Sequence, residues 1–413
     1  MAVREERDTD RAVVTGVGLV TPFGTSLAAL GRRFAGNERA LPEDAGGDAA
    51  AETGAPAALT IPRVPFEAVP EDRRGRLGRT DRLCQLLVAA SYLAVDDARD
   101  PLGSTDPERI GLSFGTGLGC LLTDAEYHRA IVEGGAAAAS PRLFAYTVSS
   151  AAAGEVSIAL GITGVNVTTH MGLAAGLGAV GYGADQIEAG KADVVLAAGA
   201  DVLGASIIAA LADMALLKPR AETRPFHDGR AGVFPAEAAA VVVLEAERHA
   251  RGRGARCLGR LEGYAAGFEP TLTRAAPETV GVAAAIRRAL ERSGRRPAEI
   301  AAVFTSAHGT PLDVVERAAI GAAFGTDAAP LLLAPKTLTG EAFGASGVLA
   351  LALAAEMLAA SPDVADGVAF DLGGAPQPGR EAGRRLGATP AVLIDALCYT
   401  GTIVALVLGR PEA

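Results

Sequence analysis

The chain alternates between short apolar runs and longer segments in which apolar residues recur at helical spacing. The apolar runs, rich in Val, Ile and Leu, predict buried strands at 11–19, 109–115, 165–169, 192–200, 238–244, 261–266, 300–307, 330–335, 391–394 and 404–408. The helical spacing predicts helices that include 27–35, 81–98, 121–132, 280–293, 311–324 and 340–360. This alternation predicts an α/β protein in which helices cover two sheets.

The second half of the chain repeats, in weaker form, the order of elements in the first half. We therefore predict two similar halves, 1–245 and 246–413, with a pocket where they meet. The segment from about 38 to 62 is rich in Ala, Gly, Asp and Pro and has no periodicity, which predicts a mobile surface loop.

One predicted turn, His170-Met171-Gly172-Leu173, joins the strand at 165–169 to a Gly/Ala-rich helix. Such a turn suits a nucleophile, because the N–H groups at a helix N-terminus stabilise a thiolate or an oxyanion. The turn holds no nucleophile. The sequence therefore predicts the framework of a covalent-catalysis site without the group that would react.

Composition narrows the possible functions. Of the 413 residues, 49% are hydrophobic, 51 are glycine and none is tryptophan, which is typical of a tightly packed α/β core. A formal charge of −10 argues against nucleic acid as a general partner. No stretch of about 18 uninterrupted apolar residues and no signal-peptide pattern are visible, so we expect no membrane association and a cytoplasmic protein.

The sequence predicts neither a cofactor nor a metal site. Gly16 and Gly18 lack the third glycine of a dinucleotide-binding turn. The four cysteines are far apart and show no metal-ligand spacing, so buried free thiols are expected. A local cluster that includes Arg73, Arg74 and Arg76 is either a solvated helix start or a docking patch for an acidic partner.

Three polar residues stand at positions suited to chemistry, each with a plainer alternative. His308 follows a buried strand and is either a base or a hydrogen-bonded structural residue. Lys336 is one of three lysines, and a capping or surface role is equally open. Glu341 lies at the start of the helix predicted at 340–360, where the helix dipole alone favours a carboxylate.

Several motifs in combination resemble the β-ketoacyl-acyl-carrier-protein synthases, which have a duplicated thiolase fold with layered αβαβα architecture. The motifs are Gly115-Thr116-Gly117, Arg224-Pro225-Phe226, Ala307-His308-Gly309-Thr310, and Lys336 followed by Thr339-Gly340. Active members of that family condense an acyl thioester, held on a cysteine, with a malonyl thioester that is decarboxylated with the help of two histidines.

The resemblance implies a role for each site position. Leu173 stands where the family has its cysteine, His308 matches the first histidine, Glu341 replaces the second, and Lys336 matches a lysine. Leucine forms no thioester, and a carboxylate repels the malonyl anion. Condensation by this chain alone is therefore not expected.

The cysteine-less branch that the chain resembles is the chain-length factor of type II polyketide synthases. Such a subunit pairs with an active ketosynthase, shapes the acyl tunnel, and works with an acyl carrier protein that we expect to dock mainly on the partner. The resemblance makes Leu118, Leu121, Leu143, Phe144 and Tyr146 candidates to limit chain length, although core packing is as good a role for each. Two alternatives remain: a malonyl-carrier-protein decarboxylase that primes synthesis, and a homodimeric ketosynthase-like scaffold.

Overall fold

The structure is a computed structural model that describes residues 10–38, 58–103, 105–217, 225–226, 232–272, 278–307, 309–325, 328–360, 368–388 and 391–410. The predicted loop at about 38–62 lies mostly outside these residues. His308 and Arg224 lie outside them as well.

Eleven strands are described. They are β1 Ala12–Val20, β2 Ile110–Gly115, β3 Asn166–Thr169, β4 Val194–Asp201, β5 Ala238–Ala246, β6 Gly259–Phe268, β7 Ile300–Phe304, β8 Leu331–Leu333, β9 Ala369–Phe370, β10 Ala391–Leu397 and β11 Thr402–Gly409.

The described α-helices alternate with these strands. They are α1 Leu27–Ala35, α2 Glu71–Leu77, α3 Arg82–Asp97, α4 Leu121–Gly134, α5 Pro141–Phe144, α6 Ala151–Leu160, α7 Ala175–Glu188, α8 Ala205–Asp213, α9 Glu247–Gly252, α10 Val280–Ser293, α11 Leu312–Phe324, α12 Lys336–Thr339, α13 Ser346–Ala360 and α14 Gly379–Ala388.

The described strands form one sheet in the order β3-β2-β4-β5-β1-β6-β11-β10-β7-β8-β9. The first five strands in this order come from the first half of the chain and the last six from the second half. The two groups join through β1 and β6, which share only the pairs Val13↔Arg260 and Val14↔Gly259. The prediction of two separate sheets is therefore wrong in detail, because this short ladder makes them continuous.

Helices fill three layers around the sheet. α7 and α13 share a buried core with β1, β5, β10 and β11, so they form the central layer. α3 and α6 cover the outer face of the first group of strands, and α10 and α11 cover that of the second group. This arrangement gives the predicted order of layers, helix-strand-helix-strand-helix. The division of the chain at 245/246 stays a prediction.

The apolar composition of the central helix α13 explains why it lies in the core. The segment Phe343–Ala360 is long and apolar enough to cross a membrane by length and composition, but most of it is buried inside the fold, as in a core helix. Glu356 interrupts its apolar run. Val348, Leu351 and Leu358 are completely buried, so the apolar surface of α13 is covered by protein.

The ten predicted strands are all present, with ends displaced by a few residues. The elements that were not predicted are β9, α5, α8, α9, α12 and α14. The helix predicted at 340–360 begins only at Ser346. Gly340 has φ +71° and Phe343 has φ +50°, and this left-handed backbone cannot continue a right-handed helix.

Candidate functional site

A buried carboxylate at the end of β4 links two turns that form one side of the candidate site. Asp201 accepts hydrogen bonds from the Thr116 hydroxyl at 2.6 Å and from the N–H groups of Gly117 at 2.8 Å, Leu118 at 2.9 Å and Gly344 at 2.7 Å. These donors belong to two turns, one after β2 and one before α13. One carboxylate therefore fixes a turn from each half of the chain.

Glycine is required in the second of these turns. A Cβ on Gly344 would stand 2.8 Å from the Cα of Thr116 and 2.9 Å from the carboxylate of Asp201. The backbone of the two turns consequently touches directly, with no side chain between them.

The turn after β3 lies beside these two turns. Gly172 has φ +56°, and a Cβ there would stand 2.4 Å from Sγ of Cys398, so only glycine fits. Leu173 follows and is 3% exposed. Its side chain belongs to a buried apolar cluster with Leu203, Ile207, Ile208, Leu211, Leu217, Phe343 and Cys398. The position where a nucleophile would stand is thus part of an apolar core.

Lys336 and Glu341 form a buried ion pair next to this cluster. Nζ of Lys336 donates to Oε2 of Glu341 at 2.7 Å, and their side chains are 6% and 2% exposed. Oε1 of Glu341 accepts from the Ser346 hydroxyl at 2.9 Å and from the Phe343 N–H at 3.0 Å. Hydrogen bonds and an opposite charge therefore compensate the loss of hydration of Glu341.

The position of Glu341 corrects the sequence interpretation. It does not lie in the first turn of a helix, since α13 begins five residues later at Ser346. Its backbone instead pairs with the 234–236 segment: its N–H donates to the Phe234 carbonyl and its carbonyl accepts from the Ala236 N–H. The carboxylate is held by Lys336, Phe343 and Ser346, while the backbone pairing with 234–236 fixes Glu341 ahead of the helix.

Two further buried carboxyl groups, those of Glu316 and Asp395, are linked to Lys336 through Ser306. Nζ of Lys336 also donates to the Ser306 hydroxyl at 3.1 Å. The Ser306 N–H in turn donates to both Glu316 and Asp395, at 2.5 Å and 3.0 Å. Burial raises the pKa of Asp395 to about 6. Burial and the neighbouring Asp395 raise the pKa of Glu316 well above its usual value.

An apolar cavity of about 330 Å³ opens over Leu173. Leu211, Leu216, Val233 and Phe343 line it together with Leu173, and Glu341 lies in its wall. The structure therefore brings Leu173, Glu341 and Lys336 together as the sequence comparison implies. The fourth predicted site residue, His308, is outside the described residues.

The proposed chain-length residues fall into two groups. Leu118 is partly buried and packs against the cluster around Leu173. Leu143 and Tyr146 are partly buried as well, and Tyr146 packs against the core under α3 and α6. Leu121 and Phe144 form the second group, at 46% and 63% exposed. Phe144 packs on the ring of Tyr127 at a centroid distance of 5.8 Å. A pure core-packing role therefore does not fit Leu121 and Phe144.

The arginine cluster lies on α2, and Arg73, Arg74 and Arg76 each contact another group of the same chain. Nε of Arg73 lies 3.4 Å from a carboxylate oxygen of Asp72, and Arg74 donates to a backbone carbonyl at 2.8 Å. Arg76 makes a two-pronged contact with Glu155, both distances being 3.2 Å. A docking role for these residues stays a prediction.

Sequence reasoning missed Asp201, Glu316 and Asp395. One signal was available, since Asp201 and Asp395 are acidic residues within apolar strand runs. The contacts that hold them link residues more than 80 positions apart, which no local pattern reveals. Within the described ranges, no group of three or more His, Cys, Asp or Glu side chains is placed to hold a metal ion.

Comparison with known proteins gives consistent family matches. The model of the β-ketoacyl synthase N-terminal domain matches residues 9–250, and that of the C-terminal domain matches residues 258–361. A 3-oxoacyl-acyl-carrier-protein synthase 2 from Synechocystis is 28% identical over 348 residues, which cover 82% of each chain. The enzyme of the same name from Staphylococcus aureus is 32% identical over 279 residues, covering 65% of this chain and 69% of the relative.

Solved structures agree in fold. A β-ketoacyl synthase from Burkholderia phymatum superposes with a TM-score of 0.81 at 22% identity, covering 98% of this chain and 100% of the other. The ishigamide ketosynthase/chain length factor gives a TM-score of 0.80 at 24% identity, with 98% and 100% covered. A ketosynthase in complex with its chain length factor from Xenorhabdus doucetiae gives 0.77 at 20% identity, with 99% and 100% covered. These likenesses confirm the predicted layered fold.

The buried carboxyl pair predicts an unusual pH dependence of stability. Because the folded-state pKa of Asp395 is raised, the folded protein holds a proton that the unfolded chain releases, and stability falls as pH rises from about 4 through about 6. We expect Asp395→Asn to raise the free energy of unfolding at pH 7.5 by on the order of 2 kcal/mol and to change it little at pH 4.

Thermal or urea unfolding at the two pH values measures this effect. Glu381→Gln, which changes an exposed carboxylate paired with Arg384, is the matched control and should leave stability nearly unchanged. Equal destabilisation by Asp395→Asn at both pH values would contradict the assignment.

Proposed function

The chain belongs to the β-ketoacyl synthase family, and from this premise we propose that it is the non-catalytic, chain-length-factor subunit of a heterodimeric ketosynthase. In this role it pairs with an active ketosynthase and shapes the tunnel that holds the growing acyl chain. The observation that carries the proposal is Leu173, buried at 3% exposure in the turn where the family holds its nucleophile. A leucine side chain carries no group that can attack a thioester or hold an acyl chain covalently.

The charges of the site support the same conclusion. Decarboxylation of a malonyl thioester passes through an enolate, which needs hydrogen-bond donors or positive charge. Glu341 instead offers carboxylate oxygens, and Lys336, the nearby cation, is already bonded to it at 2.7 Å. A second anion beside this pair would meet repulsion in a region of low dielectric constant. The site therefore disfavours malonyl binding.

One edge of the sheet supports the proposal of a partner. β3 ends the described sheet, so one side of its backbone has no neighbouring strand among the described residues. Ile158 lies on α6, which packs on β3, and Leu121, Phe144 and Val148 lie on the segments that precede α6. All four side chains are 46% to 63% exposed. We call these four residues the apolar edge surface. An open strand beside exposed apolar side chains is typical of a protein interface.

Contacts within the chain connect the apolar edge surface to β3. Nδ2 of Asn166, on β3, donates to the Ser157 hydroxyl of α6 at 2.8 Å, next to Ile158. A Cβ on Gly119, two residues before Leu121, would stand 2.4 Å from the Ser149 hydroxyl, next to Val148, and 2.7 Å from the ring of His170, which follows β3. A partner that paired with β3 would thus cover these side chains as well.

The same surface suits the control of chain length. Leu121 and Phe144 are exposed here, while Leu118 in the preceding turn packs on the cluster around Leu173. In a heterodimer, side chains at this surface would stand in the wall of a tunnel that enters from the partner. Their bulk would then limit the length of the acyl chain.

The acyl carrier protein is expected to dock mainly on the partner. This chain carries a formal charge of −10 and would repel an acidic carrier. Of the arginine cluster, Arg76 is half exposed and already paired with Glu155. A carrier that docked on α2 would have to compete with that contact.

Two other functions remain as rivals. A priming decarboxylase would need the malonyl site that Glu341 disfavours. A homodimeric scaffold would use the same open edge of β3, with a second copy of this chain on it. Both rivals predict a stable protein without a ketosynthase, which separates them from the proposal.

Co-expression with an intact ketosynthase from the same biosynthetic system tests the proposal. We expect a 1:1 complex by size-exclusion chromatography, and we expect Phe144→Asp with Val148→Asp to abolish it because charges would be buried. Val280→Asp, at an equally exposed valine on α10, is the matched control and should leave the complex intact. A homodimer that releases carbon dioxide from malonyl carrier protein would instead establish the decarboxylase.

Shortening a large side chain in the proposed tunnel wall should change the length of the product. In the reconstituted complex, Phe144→Ala or Leu121→Ala should shift products toward longer chains by one or more extension units, because each removes a large side chain from the end of the tunnel. Mass spectrometry of the released products measures the shift, with Val132→Ala, a substitution of another exposed apolar residue, as the control. An unchanged product distribution for both variants would remove these residues from the tunnel wall.

A further inference from the structure

A second cavity, of about 200 Å³, lies where the two halves of the chain meet. The sheet is weakly joined here, because β1 and β6 share only two residue pairs. The last turn of α7 and the strand β6 line the cavity, together with Arg11 just before β1 and Arg292 on α10. Leu173 precedes α7, whose 14 residues span about 20 Å. The cavity is therefore distant from the turn that contains Leu173.

Two arginine side chains in the cavity wall are anchored on the backbone of β6. Nη1 of Arg11 donates to the Glu262 carbonyl at 2.7 Å, and Nη1 of Arg292 donates to the Tyr264 carbonyl at 2.8 Å. Each anchor uses one of the five N–H donors of a guanidinium group. The anchors orient both guanidinium groups, whose other donors suit a carboxylate ligand.

A β-bulge lies at the anchor of Arg11. Gly263 pairs with Val407 and Leu261 pairs with Leu408, so Glu262 is the extra residue on β6. Bulges are frequent beside functional sites, where they redirect backbone and side-chain groups. The carbonyl that holds Arg11 thus belongs to an irregularity of the strand and not to its regular ladder.

Two carboxyl groups line the same cavity. Asp185 and Glu188 lie in the last turn of α7, where the negative end of the helix dipole disfavours a carboxylate. Partial burial raises the pKa of each group. For Glu188 the neighbouring Asp185 adds to the rise in pKa, while Arg11 and Arg292 oppose it. A cationic group bound beside both carboxylates would reduce their mutual repulsion.

Charges of opposite sign are close together in this wall. Nη2 of Arg292 lies 3.8 Å from Oδ1 of Asp185, which is too long for a hydrogen bond. The two side chains are 56% and 45% exposed, so solvent weakens their attraction. A ligand with an anionic and a cationic group a similar distance apart can pair with both side chains at once. An α-amino acid has this arrangement, since one carbon atom joins its ammonium group to its carboxylate.

The rest of the cavity wall is largely apolar. Ala184 and Leu261 are 5% and 3% exposed, and the ring of Tyr264 lies against Gly181 of α7. Apolar groups beside a few convergent charges are typical of ligand sites. The volume of about 200 Å³ is below the range of about 300–1,000 Å³ for drug-sized ligands, so a small ligand is favoured.

We propose that this cavity binds a free α-amino acid with a small apolar side chain. The two arginines bind its carboxylate, the two carboxylates bind its ammonium group, and the apolar wall packs on its side chain. This goes beyond the proposed function, since neither pairing with a ketosynthase nor the shaping of a tunnel on the β3 side requires a ligand between α7 and β6.

Isothermal titration of the purified full chain with three probes of similar shape tests the proposal. L-valine carries both charges, L-valinamide lacks the carboxylate, and 3-methylbutanoate lacks the ammonium group. We expect saturable binding of L-valine at one site per chain, and binding of each single-charge probe that is weaker by about tenfold or more. L-valine should also raise the melting temperature as its concentration rises. No saturable binding of L-valine, or equal affinity for either single-charge probe, would overturn the proposal.

Variants locate the binding site. Arg292→Gln and Glu188→Gln each remove one charge from the cavity, and each should weaken L-valine binding by about tenfold or more. Both positions are exposed, so the melting temperature without ligand should change little. The matched controls are Arg288→Gln and Glu291→Gln, at exposed positions of α10 outside the cavity lining, which should bind L-valine as the unsubstituted protein does. Normal L-valine binding by both cavity variants would overturn the assignment of the site.

The outcome is independent of the subunit assignment. A chain that pairs with a ketosynthase but binds no L-valine would overturn only the amino-acid site. A chain that binds L-valine but pairs with no ketosynthase would overturn only the proposed function.

Discussion

The hydrogen bonds to Asp201 are the constraint on which the site depends. Its carboxylate collects donors from the turn after β2 and from Gly344, and it is completely buried. Losing one oxygen would leave buried N–H groups without an acceptor, at a cost of about 1–3 kcal/mol for each. The hydrogen bonds to Asp201 therefore hold the two turns in place whether or not the site is catalytic. The geometry of the turns therefore does not depend on a reactive group at position 173.

Within that framework, the residues at the candidate site stabilise the fold. Leu173 adds apolar contacts to a buried cluster, and Glu341 satisfies the charge of Lys336. The proposed function rests on the chemistry of these two side chains. A leucine cannot form a thioester, and a carboxylate offers no hydrogen-bond donor to an enolate.

Much of the fold could be predicted from sequence because its determinants are local. The strand β4 is a nearly unbroken apolar run, and the turn before α7 follows from a β-branched segment that meets a Gly/Ala-rich one. The start of α13 could not be predicted, since it depends on left-handed backbone at Gly340 and Phe343 that tertiary contacts impose. The Glu316–Asp395 pair was equally hidden, because its members are 79 positions apart in the sequence and meet only in the folded chain, where both accept from the Ser306 N–H. The two sheets are joined into one by only two residue pairs between β1 and β6, which do not affect the pattern of apolar and polar residues along the chain.

If the proposed function is correct, the chemistry of the complex belongs wholly to the partner. Intact-protein mass spectrometry can show this on the complex incubated with malonyl carrier protein and an acyl donor and then quenched during turnover. We expect an acyl adduct on the ketosynthase subunit and an unchanged mass for this chain. An acyl adduct on this chain, also when the partner lacks its own nucleophile, would rule out the proposed role.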